Sequence, residues 1–308
     1  MRGTKGAAAT AVAAVSVLAL AACGPLGSSS SGADKPAAPA TTAAQGGDPS
    51  LSGVAHAVAA LDLVKKAASG VHSAKVDSTI SVGTAMSTKA KGAMDWGSGL
   101  QGDMVMTYTG GTAAKTLRDS GAPTTMDARY LPDAYYVNMG SAMAAQLGGK
   151  HWIEYTYDDL ARISGSSGAF LKDTIQNNNP VKSVDAALAS PNMKAVGTDS
   201  VRGVRATHYT GTVDLTAITG KTIPNLSTED QAQLRESLTK SGVTTETIDL
   251  WVSQDNLPVE SVVTAATKAG VMKTATYYSD FGTPVTVKRP PAYDTADFAD
   301  LMKQQQAG

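Results

Sequence analysis

The residues able to do chemistry in this chain are few and poorly spaced for it. Its four histidines, His56, His72, His151 and His208, lie far apart. None stands at the His-x-x-x-His spacing that turns two imidazoles toward one metal. Gly165-Ser166-Ser167-Gly168 lacks the Gly-x-Ser-x-Gly order of a nucleophile elbow and follows a helical pattern, which makes it a loop between helices. Asp158 and Asp159 are neighbours on a helix and so point in different directions. One of them is expected to cap that helix rather than to hold a metal or a proton. Gly110-Gly111 and Gly148-Gly149 read as turns, and no glycine-rich phosphate loop is present. The expectation is therefore a protein that is not an enzyme, with no metal and no cofactor. What remains is Cys23, the one cysteine in 308 residues. It has no partner for an intramolecular disulfide, so in an exported chain it needs another use.

That use is written around it. Arg2 and Lys5 precede an apolar run from Ala7 to Ala22 that ends in small residues, the construction of a secretory signal. The run is too short and too rich in alanine to read as a spanning helix. Leu20-Ala21-Ala22-Cys23-Gly24 resembles the lipobox of bacterial lipoproteins, which implies a diacylglyceryl group on Cys23 and cleavage before it by signal peptidase II. Residues 1–22 are then the signal peptide. The mature protein sits outside the cytoplasm, anchored to the outer face of the cell membrane through Cys23. Two acyl chains suffice for this, since each buried methylene contributes about 0.8 kcal/mol and a single chain holds only marginally.

Composition fits an exported body. The chain has 26 basic and 27 acidic residues; losing Arg2 and Lys5 with the signal leaves 24 against 27, a balance that disfavours nucleic acid. Residues 23–52 hold a serine run, Pro36, Pro39 and Pro49 and alternating Ala and Thr, with almost no large apolar side chain. Such a segment cannot offset the entropy of ordering and is expected to be a flexible tether.

The body that follows is read from periodicity. Val54–Ser69 carries apolar residues at helical spacing and stops at Gly70. Alternation then predicts strands at Lys75–Gly83, Thr88–Trp96, Asp103–Tyr108, Thr124–Tyr130, Ala134–Met139 and His151–Tyr157. Residues 157–190 read as helical, with Phe170, Leu171, Ile175, Val184, Ala187 and Leu188 on apolar faces. Strands return at Met193–Val201 and Val204–Val213, a helix opens at a capping-box-like Ser227 and Asp230, and three strands close the body at Thr244–Val252, Pro258–Thr267 and Val271–Phe281. Strands in blocks with helices between them predict an α+β domain built on an antiparallel sheet.

In order, the elements are a lipobox, a polar tether, a helix running into Val71-His72-Ser73-Ala74-Lys75-Val76, a strand meander, and the ending Tyr277-Tyr278-Ser279-Asp280-Phe281-Gly282-Thr283-Pro284-Val285-Thr286-Val287. Together they resemble the actinobacterial lipoprotein family of LppX, LprA, LprF and LprG, related in fold to LolA. The resemblance covers residues 53–290. It implies a strongly curved antiparallel half-barrel whose concave face is covered by helices, enclosing a hydrophobic cavity that holds the acyl chains of envelope lipids or glycolipids. The chain departs from the pattern after Pro290-Pro291, where residues 291–308 read as an added short helix with Phe298, Leu301 and Met302.

The predicted strand faces agree with a container. Met94, Met104, Met106 and Met126 fall on strands, as do Ile80, Tyr108 and Val137, while Ala90 leaves room where a dense core would want bulk. These eight are the candidate cavity residues. Methionine adapts to irregular partners, so such a lining suits lipid tails; ordinary core in an alanine-rich protein would read the same way. Two functions stay open: a carrier that takes acylated lipids from the membrane and passes them on, to a membrane transporter among other recipients, or a sensor that binds a membrane protein through the same fold. A solute receptor would require two βαβ lobes, which this order of elements does not supply.

Overall fold

The computed structural model describes residues 49–163, 175–176, 179–215 and 228–307. Cys23, the tether up to residue 48, the Gly165–Gly168 loop, Phe170, Leu171 and the capping Ser227 lie outside them. The alternating segments form one twelve-stranded sheet: β1 (Ser73–Val82), β2 (Met86–Asp95), β3 (Gln101–Gly110), β4 (Thr125–Tyr130), β5 (Ala134–Asn138), β6 (Trp152–Thr156), β7 (Lys194–Val201), β8 (Val204–Asp214), β9 (Thr245–Ser253), β10 (Pro258–Thr267), β11 (Gly270–Ser279) and β12 (Thr295–Asp297). The spatial order β12-β6-β5-β4-β3-β2-β1-β11-β10-β9-β8-β7 joins two meanders where β1 pairs with β11. The sheet is curved and unclosed. This is the expected α+β architecture.

Helices pack on one face, here called the inner face. Over β7–β10 lie α1 (Pro49–Ala68) and α5 (Pro180–Leu188). They bring Ala57, Leu61, Val64, Val184 and Ala187 against Tyr209, Ile248, Leu250 and Val263. A Lys65 to Asp185 ion pair of 2.6 Å links the two helices. Asn179 caps α5 by accepting from the Lys182 amide, and Pro180 at the first helical position gives up an amide that has no partner there anyway. Over β1–β6 lie α2 (Gly111–Asp119), α3 (Gly140–Ala144), α4 (Tyr157–Ile163) and α7 (Phe298–Ala307). A further helix, α6 (Thr228–Ser241), leads into β9.

Four local expectations change. Gly110-Gly111 is not only a turn: at Gly111, with φ +81°, the chain swings into α2, which buries Ala114 and Leu117. A Cβ at Gly111 would lie 2.6 Å from the Ala85 carbonyl, so only glycine allows this approach. The cap of α4 is Thr156, whose hydroxyl accepts from the Asp159 amide at 3.0 Å, rather than Asp158 or Asp159. α1 begins at Pro49, inside the stretch expected to be tether. The C-terminal extension is not simply an added helix, because Thr295–Asp297 pairs first with β6 as β12, the one parallel pairing in the sheet, and the helix starts only at Phe298.

The closing motif also has a structural role. After β11 the chain crosses the outer face of β4–β6, where Val287 packs with Leu131, Tyr136 and Trp152. Arg289 donates to both oxygens of Asp133, at 2.8 and 2.6 Å, to Glu154 and to the Tyr136 hydroxyl. Arg129 lies over the Trp152 ring and donates to the Lys288 carbonyl at 3.1 Å.

Candidate functional site

Strand register decides which candidate residues meet. One row crosses the inner face through Leu250, Ser261, Thr276, Ser78, Ala90, Met106 and Met126, each the direct cross-strand partner of the next. Beside it run Ile248, Val263, Thr274, Ile80, Thr88 and Tyr108. On the other side run Tyr278, Val76, Gly92, Met104, Ala128, Val137 and Ile153. Met94 continues into Gly102, Tyr130, Tyr135 and Tyr155 in the next row. Side chains on alternate residues share a face, so all eight candidates, Ile80, Ala90, Met94, Met104, Met106, Tyr108, Met126 and Val137, lie on this one face.

The face is uneven. Met94, Met104, Tyr108, Met126 and Val137 belong to a large apolar cluster on the β1–β6 side, with Ala90 and Met106 half-buried against it. A second cluster occupies the β7–β10 side. Between them the central row narrows to Ser261, Thr276, Ser78 and Ala90, and buried Ile80 belongs to neither cluster. Gly92 sits at the edge of this zone; a Cβ there would lie 2.0 Å from the Asp103 carbonyl, so no larger residue fits without moving β3.

At the β1–β6 end the lining turns aromatic. Tyr135 stacks on Tyr155 with ring centroids 4.7 Å apart, and Phe298 from α7 covers Tyr155 at the same separation. Burial pushes the Tyr130 phenol up to about 12 and Tyr135 and Tyr155 well above the ordinary phenol range, so these groups stay neutral. The tyrosine wall was not among the expected site residues, although Tyr130, Tyr135 and Tyr155 recur with the strand alternation.

Sequence reasoning also missed the inward hydroxyls of Ser78, Ser261, Thr274 and Thr276, and Glu246. Glu246 faces inward opposite Val213 and Ala265, with no partner among the described residues. Burial pushes its carboxyl up to about 8. In an unfolded chain the same group titrates near ~4.3. Between those pH values the native state holds a proton that the unfolded state has lost, so stability falls as pH rises from about 4 to about 8 and then levels off. The Glu246 side chain keeps partial exposure, which limits the effect. Glu246→Gln is therefore expected to add about 1–3 kcal/mol at pH 9 and little at pH 4. Urea unfolding at the two pH values measures this, and an equal effect at both would show that the carboxyl is not held protonated.

The histidines do not converge. His151 Nδ1 lies 2.7 Å from Asp294 and helps fix the turn into β12. His208 sits on the outer face, 2.9 Å from Asp249 and stacked on Trp251 with ring centroids 4.1 Å apart. Among the described residues no cluster of His, Cys, Asp and Glu could hold a metal ion. A cleft of about 410 Å³ between α4 and α7 is lined by Asp159, Arg162, Asp297, Asp300, Met302 and Lys303. Its charges pair with one another, Arg162 with Asp159 and Lys303 with Asp300. Met302 on its wall also packs on the β1–β6 cluster.

The described residues form an open α+β sheet with helices on one face and two apolar clusters across that face. No family model matches the sequence. The chain is 47% identical over 247 residues to a 31.2 kDa protein of Streptomyces griseus encoded in the rplA-rplJ intergenic region, spanning 80% of this chain and 81% of that one. It is 39% identical over 246 residues to a Streptomyces coelicolor protein named as a candidate lipoprotein, spanning 80% and 76%. The chain belongs to the family of these two Streptomyces proteins. Among solved structures it aligns with Mycobacterium tuberculosis lipoprotein LppX at 14% identity and TM-score 0.45, over 76% of this chain and 99% of that one. It also aligns with LprF from Mycobacterium bovis at 17% identity and TM-score 0.46, over 77% and 98%.

Proposed function

We propose that the protein is an envelope lipoprotein, held on the outer face of the cell membrane by a lipid on Cys23, that binds the acyl chains of a lipid or glycolipid on the inner face of its sheet and carries or displays them. The observation that carries this reading is the inner face itself: two apolar clusters separated by a central row of small side chains. A core that existed only to hold the sheet to its helices would fill that centre with large residues at crystal-like density. The relative from Streptomyces coelicolor, named as a candidate lipoprotein, supports the anchor. The protein acts by binding, and its partners are the lipid, the membrane, and a membrane protein that supplies or receives the ligand.

Two experiments test the two halves. Cys23→Ala is expected to move the protein from the membrane fraction to the soluble fraction; full retention after a high-salt wash would contradict the anchor. Incubation with vesicles carrying a pyrene-labelled diacylglycerol should transfer label to the protein. No transfer above that to an unrelated lipoprotein would contradict the binding role.

A further inference from the structure

We infer that the central row is a polar subsite, and that it receives the neutral ester linkage of an acyl lipid whose chains diverge to the two apolar clusters. The inference rests on the lipid-binding reading and says which part of the ligand goes where. Ser261, Thr276 and Ser78 stand side by side on β10, β11 and β1, and Thr274 is next to Thr276 on the same face of β11. Ser78 and Thr276 are buried, and their hydroxyls share one hydrogen bond of 3.2 Å. Thr274 is different. The residue is 7% exposed and its Oγ1 has no hydrogen-bond partner among the described residues. A buried hydroxyl left unpaired is a standing cost to the fold, and a ligand atom able to accept its proton would remove that cost.

The surroundings select the acceptor. The inner-facing residues of β1, β2, β9, β10 and β11 in these rows include no Lys or Arg to neutralise a phosphate or a free carboxylate. An ionised headgroup would be desolvated without compensation. An ester carbonyl is uncharged, accepts a hydrogen bond and sits where two acyl chains part. Thr274 lies between Val263, of the β7–β10 cluster, and Ile80, whose row continues through Thr88 to Tyr108 of the β1–β6 cluster. A carbonyl over Thr274 therefore has apolar wall within reach on either side.

The test compares two probes with the same chains, dioleoylglycerol and its dioleyl ether analogue, which lacks only the carbonyl oxygens. Binding of each to the full chain carrying Cys23→Ala is measured by displacement of a pyrene-labelled diacylglycerol. The parent is expected to prefer the ester by about fivefold, the worth of one net hydrogen bond. Thr274→Val keeps the shape of a β-branched side chain and removes the hydroxyl. It is expected to bring the two affinities within twofold of each other, to leave ether binding unchanged, and to raise the melting temperature of the ligand-free protein. A parent with no ester preference, or a preference that survives in Thr274→Val, would overturn the inference while leaving lipid binding intact. Failure of both probes to displace label that does bind would also overturn it. If the label itself does not bind, the lipid-binding reading fails and the subsite with it. A Thr274→Val variant of lower melting temperature would show that the hydroxyl is satisfied in the fold.

Discussion

Ala90→Trp is expected to lower the affinity for acyl lipid by well over tenfold while leaving the melting temperature nearly unchanged. Ala90 is the direct partner of Met106 across β2 and β3, and both stand half-buried in the central row, against the β1–β6 cluster rather than inside it. An indole at this position would lie over Ser78 and Met106, where the ligand is proposed to run. Displacing on the order of 100 Å² of apolar ligand contact costs about 2.5 kcal/mol, which is more than tenfold in affinity. The same substitution in a solid core forces its neighbours aside and costs about 1–3 kcal/mol of stability. The two outcomes separate cleanly when lipid displacement and thermal unfolding are measured on the same variant. Met106→Trp is expected to behave alike; destabilisation in both with no change in ligand would mean that the row is filled by protein.

Phe298→Ala is expected to cost about 3–5 kcal/mol, a large share of the stability of a domain this size. Phe298 is 7% exposed and closes the tyrosine wall at Tyr155, with Leu301 and Met302 of the same helix packed on the β1–β6 cluster. The strand before it, β12, is only three residues long and its register on β6 is held at Thr295, Ala296 and Asp297. Without the ring, the wall loses its cover and β12 its reason to stay paired. Chemical denaturation with near-ultraviolet circular dichroism checks this, because the stacked tyrosines report directly on the wall. A loss below about 1 kcal/mol would show that the extension is peripheral.

How far the fold could be read from the sequence depends on what each segment repeats. β1, β2 and β3 alternate apolar and polar residues, and Val76, Met94 and Met104 turn inward as expected. β11 was legible as a strand, but its inner face was not. There Thr274 and Thr276 point inward while Ala275 and Tyr277 point outward, so the rule that polar residues face solvent assigns the wrong side until Tyr278. Inward hydroxyls look like surface in a sequence, which is why the polar centre of the site went unseen while its methionines were found. Helix α2 was hidden for another reason: only Ala114 and Leu117 of its residues are buried, too few for a helical period to stand out. β12 could not be foreseen because three residues carry no period, and its pairing depends on β6, more than a hundred residues away in the chain. Likewise, that all eight candidates share one face required the register, since alternation within a strand does not fix which side its neighbour presents.

The central claim is that the inner face holds lipid. Native mass spectrometry of the protein gently extracted from its own membranes tests it most directly, because a ligand bound between the two clusters travels with the chain. The predicted result is a population heavier than the lipidated chain by the mass of an acyl lipid, which disappears in organic solvent and is absent from the Ala90→Trp variant. A single species at the mass of the lipidated chain alone, from cells in which the protein is fully processed, would contradict it.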